Sequence, residues 1–204
     1  MFSLKSSFQC GALAVAGASL LLAALPSGWG LYGSKPQEYD CSVDPATVYN
    51  GQASTYLKSK PGIETSGFGT LSQGFSAAQY AGKRVRFSAN VKSDSVEPHG
   101  TPTAWAGLWM RVDAASKMLV LDNMHDFGED RSIKGTTEWK NYAVVLDVPE
   151  GATGIFVGIL LHGSGAIWIN GGKFEVVGPE VAVTAGTPPV KPLPDTPANL
   201  GFEK

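Results

Sequence analysis

The feature that most constrains this chain is the period of its apolar residues. From Phe68 onward they recur at every second position over short stretches, each bounded by Gly, Pro, Asn or Asp. Val85, Phe87, Ala89 and Val91 alternate with Arg84, Arg86, Ser88, Asn90 and Lys92. Leu108, Met110 and Val112 alternate with Trp109, Arg111 and Asp113. Period two puts one set of side chains on a buried face and the other on a wet face, which is strand grammar. Stretches 118–123, 142–148, 154–162, 166–169 and 174–177 extend the series, with 82–83, 149–151 and 163–165 as the turns between them. Ser76 to Tyr80 has room for one helical turn. No amphipathic helix separates the strands, so the pattern predicts an all-β, antiparallel β-sandwich or barrel and not a parallel α/β sheet. The 25 Gly and 13 Pro among 204 residues, with only 17% charged, argue against a helix bundle in the same direction.

The two ends read differently from the middle. Residues 1–27 carry one positive charge at Lys5, an apolar run from Gly11 to Leu25, then Pro26-Ser27-Gly28. This is the layout of a secretory signal peptide, and the run of about fifteen residues is short of the roughly twenty needed to span a bilayer. The expectation is a secreted or periplasmic protein, membrane-anchored if the segment is not cleaved. Cys10 precedes the apolar run, where a lipoprotein cysteine would follow it, and Cys41 is then a single thiol that forms no internal disulfide. Residues 181–204 form a tail whose stretch Thr187 to Pro194 is Pro-rich and suited to extended structure. The β-sandwich is assigned to 28–180. Sixteen basic against eighteen acidic side chains leave a formal net charge of -2, with no cationic field to gather phosphates, so no nucleic-acid partner is expected.

The stretch Thr70-Leu71-Ser72-Gln73-Gly74-Phe75, followed by Tyr80 to Lys92 with its Gly82-Lys83 turn and its Ser88-Ala89-Asn90-Val91-Lys92 ending, resembles carbohydrate-binding modules with a galactose-binding-like jelly roll. Ile167-Trp168-Ile169 and Lys173 to Val177 look like the closing strand of those modules. A narrower resemblance rests on Gly107 to Asp113, Leu121 to Met124, Gly135 to Trp139 and Val144 to Pro149. It points to a bacterial group of unassigned function, some members of which are labelled transcriptional regulators. The resemblance implies a jelly roll and a carbohydrate ligand. It also implies an opening Asn-x-Gly-Phe-Glu strand, whose Glu would share a structural calcium with an Asp of the closing strand. Here Asn199 to Glu203 carries that motif at the other end of the sequence, and Asn170-Gly171-Gly172 stands where the acidic pair would be. Hard calcium prefers charged oxygen ligands, so no cofactor is expected and structural calcium is the exception to test. Residues 199–203 either fold back to fill a missing sheet edge or begin a second, truncated copy.

Trp105, Trp109, Arg111, Asp113 and Trp168 are the candidates for recognition. Trp109, Arg111 and Asp113 share the face opposite the aliphatic residues of their strand. An indole beside a guanidinium and a carboxylate suits a sugar, whose C–H surface stacks on the ring while its hydroxyls find hydrogen-bond partners. The structural alternative is that Trp109 packs under a loop and Arg111 pairs with Asp113. Trp139 reads as a hydrophobic plug. Asp122, Asn123, His125, Asp126, Glu129, Asp130 and Arg131 form the densest polar cluster. It imitates a metal loop only loosely, and the reading preferred for it is an exposed, solvated hairpin loop. Trp105 together with Asp122, Asn123, His125 and Arg131 is placed at the rim of the Trp109 platform. No nucleophile elbow, zinc set or phosphate-cradling Gly loop is present. The sequence predicts an exported, non-catalytic ligand-binding module for carbohydrate or another small molecule. The alternatives are an effector-binding or protein-interaction domain, and a jelly-roll lyase or cyclase using an acid such as Asp113 or Asp122.

Overall fold

In the computed structural model, residues 25–115, 117–126, 130–185 and 200 are described. Residues 1–24 of the expected export signal, the Pro-rich stretch and the 199–203 motif apart from Leu200 lie outside them. Ten strands form two five-stranded antiparallel sheets. In chain order they are β1 (Gly30–Gly33), β2 (Tyr39–Tyr49), β3 (Gln52–Ser59), β4 (Phe68–Ser76), β5 (Arg84–Glu97), β6 (Trp105–Ala114), β7 (Lys117–Asp122), β8 (Gly135–Asp147), β9 (Gly154–His162) and β10 (Ser164–Val177). The first sheet runs β1-β4-β9-β6-β7 and the second β2-β3-β10-β5-β8. This is the antiparallel β-sandwich that the alternation implied, and its jelly-roll kind is the one that the resemblance implied.

The core lies between the layers. Val85, Phe87, Ala89 and Val91 of β5 face Leu108, Met110 and Val112 of β6 and Ile155, Val157, Ile159 and Leu161 of β9, all essentially without exposed surface. Each large aliphatic side chain buried in this way contributes about 1.5–3 kcal/mol of transfer free energy. The wet set of the alternation falls on the outer faces of the sheets.

Two differences from the sequence reading matter for function. Three strands precede Phe68, and β1 fills the sheet edge beside β4, antiparallel with Gly30 opposite Ser72 and Gly33 opposite Gly69. That edge is therefore occupied by the amino-terminal segment. Leu25, placed by the sequence reading inside the export signal, packs against the core, and Pro26 accepts a hydrogen bond from the Trp29 amide at 3.1 Å. At the other end, Thr184 is stitched to the outer edge of β8. Its amide donates to Val145 O (2.9 Å), and its Oγ1 accepts from Val145 N (2.7 Å). Arg84 donates to the carbonyls of Pro179 and Val181. A strand edge with free amides invites pairing with other chains, and this strap covers part of it. No helix among the described residues is long and apolar enough to cross a membrane.

Candidate ligand-binding cleft

The outer face of the first sheet forms a cleft of about 1060 Å³. Its floor comes from β4, β9 and β6, and one wall from the loop after β7. Two aromatic side chains make the floor, and each lies across a glycine of the neighbouring strand. Trp109 is directly opposite Gly158, and a Cβ built on Gly158 would stand 2.6 Å from the Trp109 Nε1. Phe156 is directly opposite Gly74, where a Cβ would stand 2.6 Å from the ring. Cross-strand neighbours are only about 5 Å apart, so a missing side chain is the space into which an aromatic ring can lie down. Trp109 is fixed there by its Nε1, which donates to Thr70 Oγ1 at 2.7 Å, while the Thr70 hydroxyl donates onward to Ile159 O at 2.9 Å. The polar edge of the indole is thus satisfied within the protein, and what it offers a ligand is a ring face.

Arg111 stands two residues along β6 and lies over the Phe156 ring, its guanidinium carbon 4.7 Å from the centroid. Its Nη2 reaches Asp113 Oδ2 at 2.9 Å, with the side chains 39% and 16% exposed. Arg111 Nε and Asp113 Oδ1 are buried without a protein partner. Arg111 therefore lines the cleft as a flat, partly neutralised cation, and Asp113 acts through it from below. Trp109 and Arg111 line the cleft from the outward side of β6, and Asp113 pairs with Arg111 without lining the cleft itself.

The rim departs from expectation. Trp105 lines the cleft but is only 7% exposed, because the His125 ring stacks on it at 4.5 Å and 26° and His162 lies against it at 6.2 Å. The wall loop crosses the sheet above Gly107, where a Cβ would meet Asn123 O at 2.8 Å. Asn123 lines the cleft, yet its side chain is spent on the loop. Its Oδ1 accepts from the amides of His125 and Asp126, and its Nδ2 donates to Asp126 Oδ2. Asp122 and Arg131, placed at the rim by the sequence reading, are structural. Asp122 is opposite Met110 in register and so points into the core, with no exposed surface. Its Oδ1 accepts from the Met124 amide (2.8 Å) and its Oδ2 from Arg131 Nη2 (2.5 Å), while Arg131 Nη1 donates to Ala143 O of β8. A buried carboxylate persists only when paired and hydrogen-bonded, which is the role Arg131 fills. Asp113 and Asp122 point to opposite faces and do not converge as an acid pair.

The histidines of the wall are held electrostatically. Burial, reinforced by the charge of His125, lowers the pKa of His162 and favours its neutral form. Lys134, with Ser132, holds Asp130 well below the usual carboxylate range, and Asp130 in turn lies 3.4 Å from His125 Nδ1. Among the described residues no cluster of three or more His, Cys, Asp or Glu is arranged to hold a metal ion. Trp168 lies on the other sheet, its Nε1 donating to Asp44 Oδ2 at 2.9 Å, and Trp139 of β8 packs on Tyr49. Neither joins the cleft. Phe156, His162, Gly74 and Gly158 were absent from the sequence reading of the site. Their signal is cross-strand register, which a single sequence does not display.

No protein-family profile matches the chain. Over 178 residues it is 42% identical to YbfP, an uncharacterized HTH-type transcriptional regulator of Bacillus subtilis (strain 168). The match takes in 87% of this chain and 57% of that protein, so the chain spans little more than half the length of the curated relative. Among solved structures, the enzymatically active domain of bacteriophage CBA120 tailspike protein 4 superimposes with a TM-score of 0.53 at 15% identity, over 74% of this chain and 20% of that one. The CBM22-1 xylan-binding domain of Paenibacillus barcinonensis Xyn10C gives 0.49 at 15% identity, over 74% of this chain and 86% of that one. What the chain shares with the tailspike domain at such identity is its fold, a two-layer antiparallel jelly roll.

Proposed function

We propose that this chain is a non-catalytic module that binds carbohydrate in the Trp109 cleft and works outside the cytoplasm. The observation that carries the reading is the posture of Trp109. It lies against Gly158, half-buried, with its one polar atom already bonded to Thr70, so the part of the ring open to the cleft suits the C–H face of a pyranose. Arg111, spread over Phe156 and steadied by Asp113, supplies donors beside it for ring hydroxyls. The remaining lining mixes apolar side chains such as Tyr32, Phe68, Met118 and Leu160 with polar ones such as Gln73, His125 and His162, a combination that suits a small ligand. The amino-terminal pattern of Lys5 followed by an apolar run supports export.

The test is a glycan array spanning plant, algal and bacterial polysaccharides, probed with the wild type and with Trp109→Ala. Binding that disappears in the variant while the melting transition survives supports the reading, and an array blank across all three classes refutes it. A second reading, an effector-binding domain acting through attached protein, is favoured by one observation, the 178-residue match to part of a larger protein named as a regulator. That reading predicts a soluble ligand for the same cleft and a partner that co-purifies.

A further inference from the structure

The outer face of the second sheet carries three asparagines in a single row. Asn170 of β10 is directly opposite Asn90 of β5, and Asn90 is directly opposite Asn141 of β8. Asparagine is depleted in strands, and a row of three across the middle of a sheet sacrifices β propensity without filling any core. Their amides are partly interlocked. Asn141 Nδ2 donates to Asn90 Oδ1 at 3.2 Å, and Asn170 Nδ2 donates to the carbonyls of Gln52 and Ala53 at 3.2 and 2.9 Å. Asn141 Oδ1, Asn170 Oδ1 and Asn90 Nδ2 have no protein partner among the described residues. Two acceptors and a donor are thus left side by side on an open face.

The β2–β3 hairpin gives this row a wall. Its Asn50-Gly51 turn, with φ of 48° and 78°, brings Tyr49 onto Trp139 of β8, ring centroids 5.0 Å apart. β2 and β8 are the two outermost strands of the sheet, so the contact spans the three strands between them. The open trough so formed, about 650 Å³, is lined among others by Tyr49, the three asparagines and the paired Arg86 and Glu175. A bulge in β10 places Gly171 and Gly172 between Asn170 and Lys173, which keeps bulky side chains out of it.

We propose that this trough is a second saccharide site, taking a neutral, hydroxyl-rich pyranose chain on the face opposite the Trp109 cleft. Amides both donate and accept, which matches vicinal hydroxyls, and Tyr49 offers a ring for the apolar face of the sugar. Arg86 and Glu175 neutralise one another, leaving Lys173 as the one unpaired charge of the lining among the described residues, too little for a polyanion. A protein partner would want an apolar centre, and the centre here is amide. The site stands on different residues from the Trp109 cleft and does not depend on that reading.

The test is a titration of the full-length chain with xylohexaose, cellohexaose and β-1,4-galactotriose. Side-chain amide and indole signals are followed by proton–nitrogen correlation NMR. In Trp109→Ala, the Asn90 and Asn141 amides still shift with at least one of the three sugars. In the Tyr49→Ala/Asn141→Ala double variant the Asn90 amide response weakens roughly tenfold or more, the effect of losing a stacking contact and a hydrogen bond. The Trp109 indole, read separately in the same spectra, reports the first cleft and is unaffected by the double variant. Amides that fail to shift with all three sugars, or that shift equally in the double variant, overturn the proposal.

Discussion

Replacing Arg131 by Met removes a charge and five donors while keeping most of the side-chain stem. Asp122 then sits with no exposed surface and a single remaining partner, the Met124 amide at 2.8 Å. Breaking one side of a buried ion pair costs about 3–5 kcal/mol, because the surviving charge is neither solvated nor matched. Ala143 O loses its Arg131 donor as well. For a domain of this size each kcal/mol shifts the melting temperature by about 2–4 °C, so Arg131→Met is expected to melt roughly 6–20 °C lower. Urea unfolding followed by tryptophan fluorescence gives the free energy directly, and an unchanged m-value shows that only stability has moved. The Asp122→Asn/Arg131→Met double variant removes the stranded charge and keeps an acceptor for Met124 N, so it is expected to lie closer to wild type than Arg131→Met alone. A loss under about 1 kcal/mol, the worth of an exposed pair, would refute the reasoning. So would a double variant worse than the single.

Two more outcomes follow from the same structure. Thr70→Val strands the Trp109 Nε1 while preserving shape. It is expected to cost about 1 kcal/mol of stability and to weaken glycan binding roughly 2–12-fold, the ordering cost of one freed side chain, whereas Thr70→Ser behaves as wild type in both melting and titration. At alkaline pH, burial holds the Cys41 thiol and the Tyr39 phenol at about 12, against ordinary values of 9.0 and 10.0. Both are neutral in folded and unfolded chains below about pH 8, and above it the unfolded chain loses protons first, so stability falls between about pH 8 and 12. Melting temperatures across that range should show the decline, shallower in Cys41→Val, and a flat profile would contradict it.

The sequence carried the sandwich because its central strands obey strict alternation, and β5, β6 and β9 bury the residues that their period selects. It hid the strands before Phe68 for local reasons. Tyr39, Cys41 and Val43 alternate as cleanly, but Pro45 and the bulge between Asp44 and Val48 interrupt the run. The Asn50-Gly51 pair, with both residues at positive φ, was the missed hairpin signal. In the cleft, Trp109 and Arg111 were legible from their side of one strand. Which glycine lies beneath Trp109 depends on pairing between residues 109 and 158, information that exists only after the sheet has formed. Asp122 was misplaced because a polar residue at the end of a hairpin strand ordinarily faces water, and only the guanidinium of Arg131 makes its inward turn tolerable.

The strand order has a consequence for how the chain folds. The middle strand of the first sheet is β9 and the middle strand of the second is β10, the last two strands among the described residues. Before Gly154 is available, β4 and β6 share no ladder, and neither do β3 and β5. Among the described residues the only pairings between sequence neighbours are the hairpins β2–β3 and β6–β7. Closure must wait for residues 154–177 to thread both centres at once. Refolding dominated by such distant pairings belongs on the millisecond-to-second scale. A chain appearing amino end first could form the β1–β4, β2–β3, β5–β8 and β6–β7 pairs, but neither sheet would be continuous until β9 and β10 emerged.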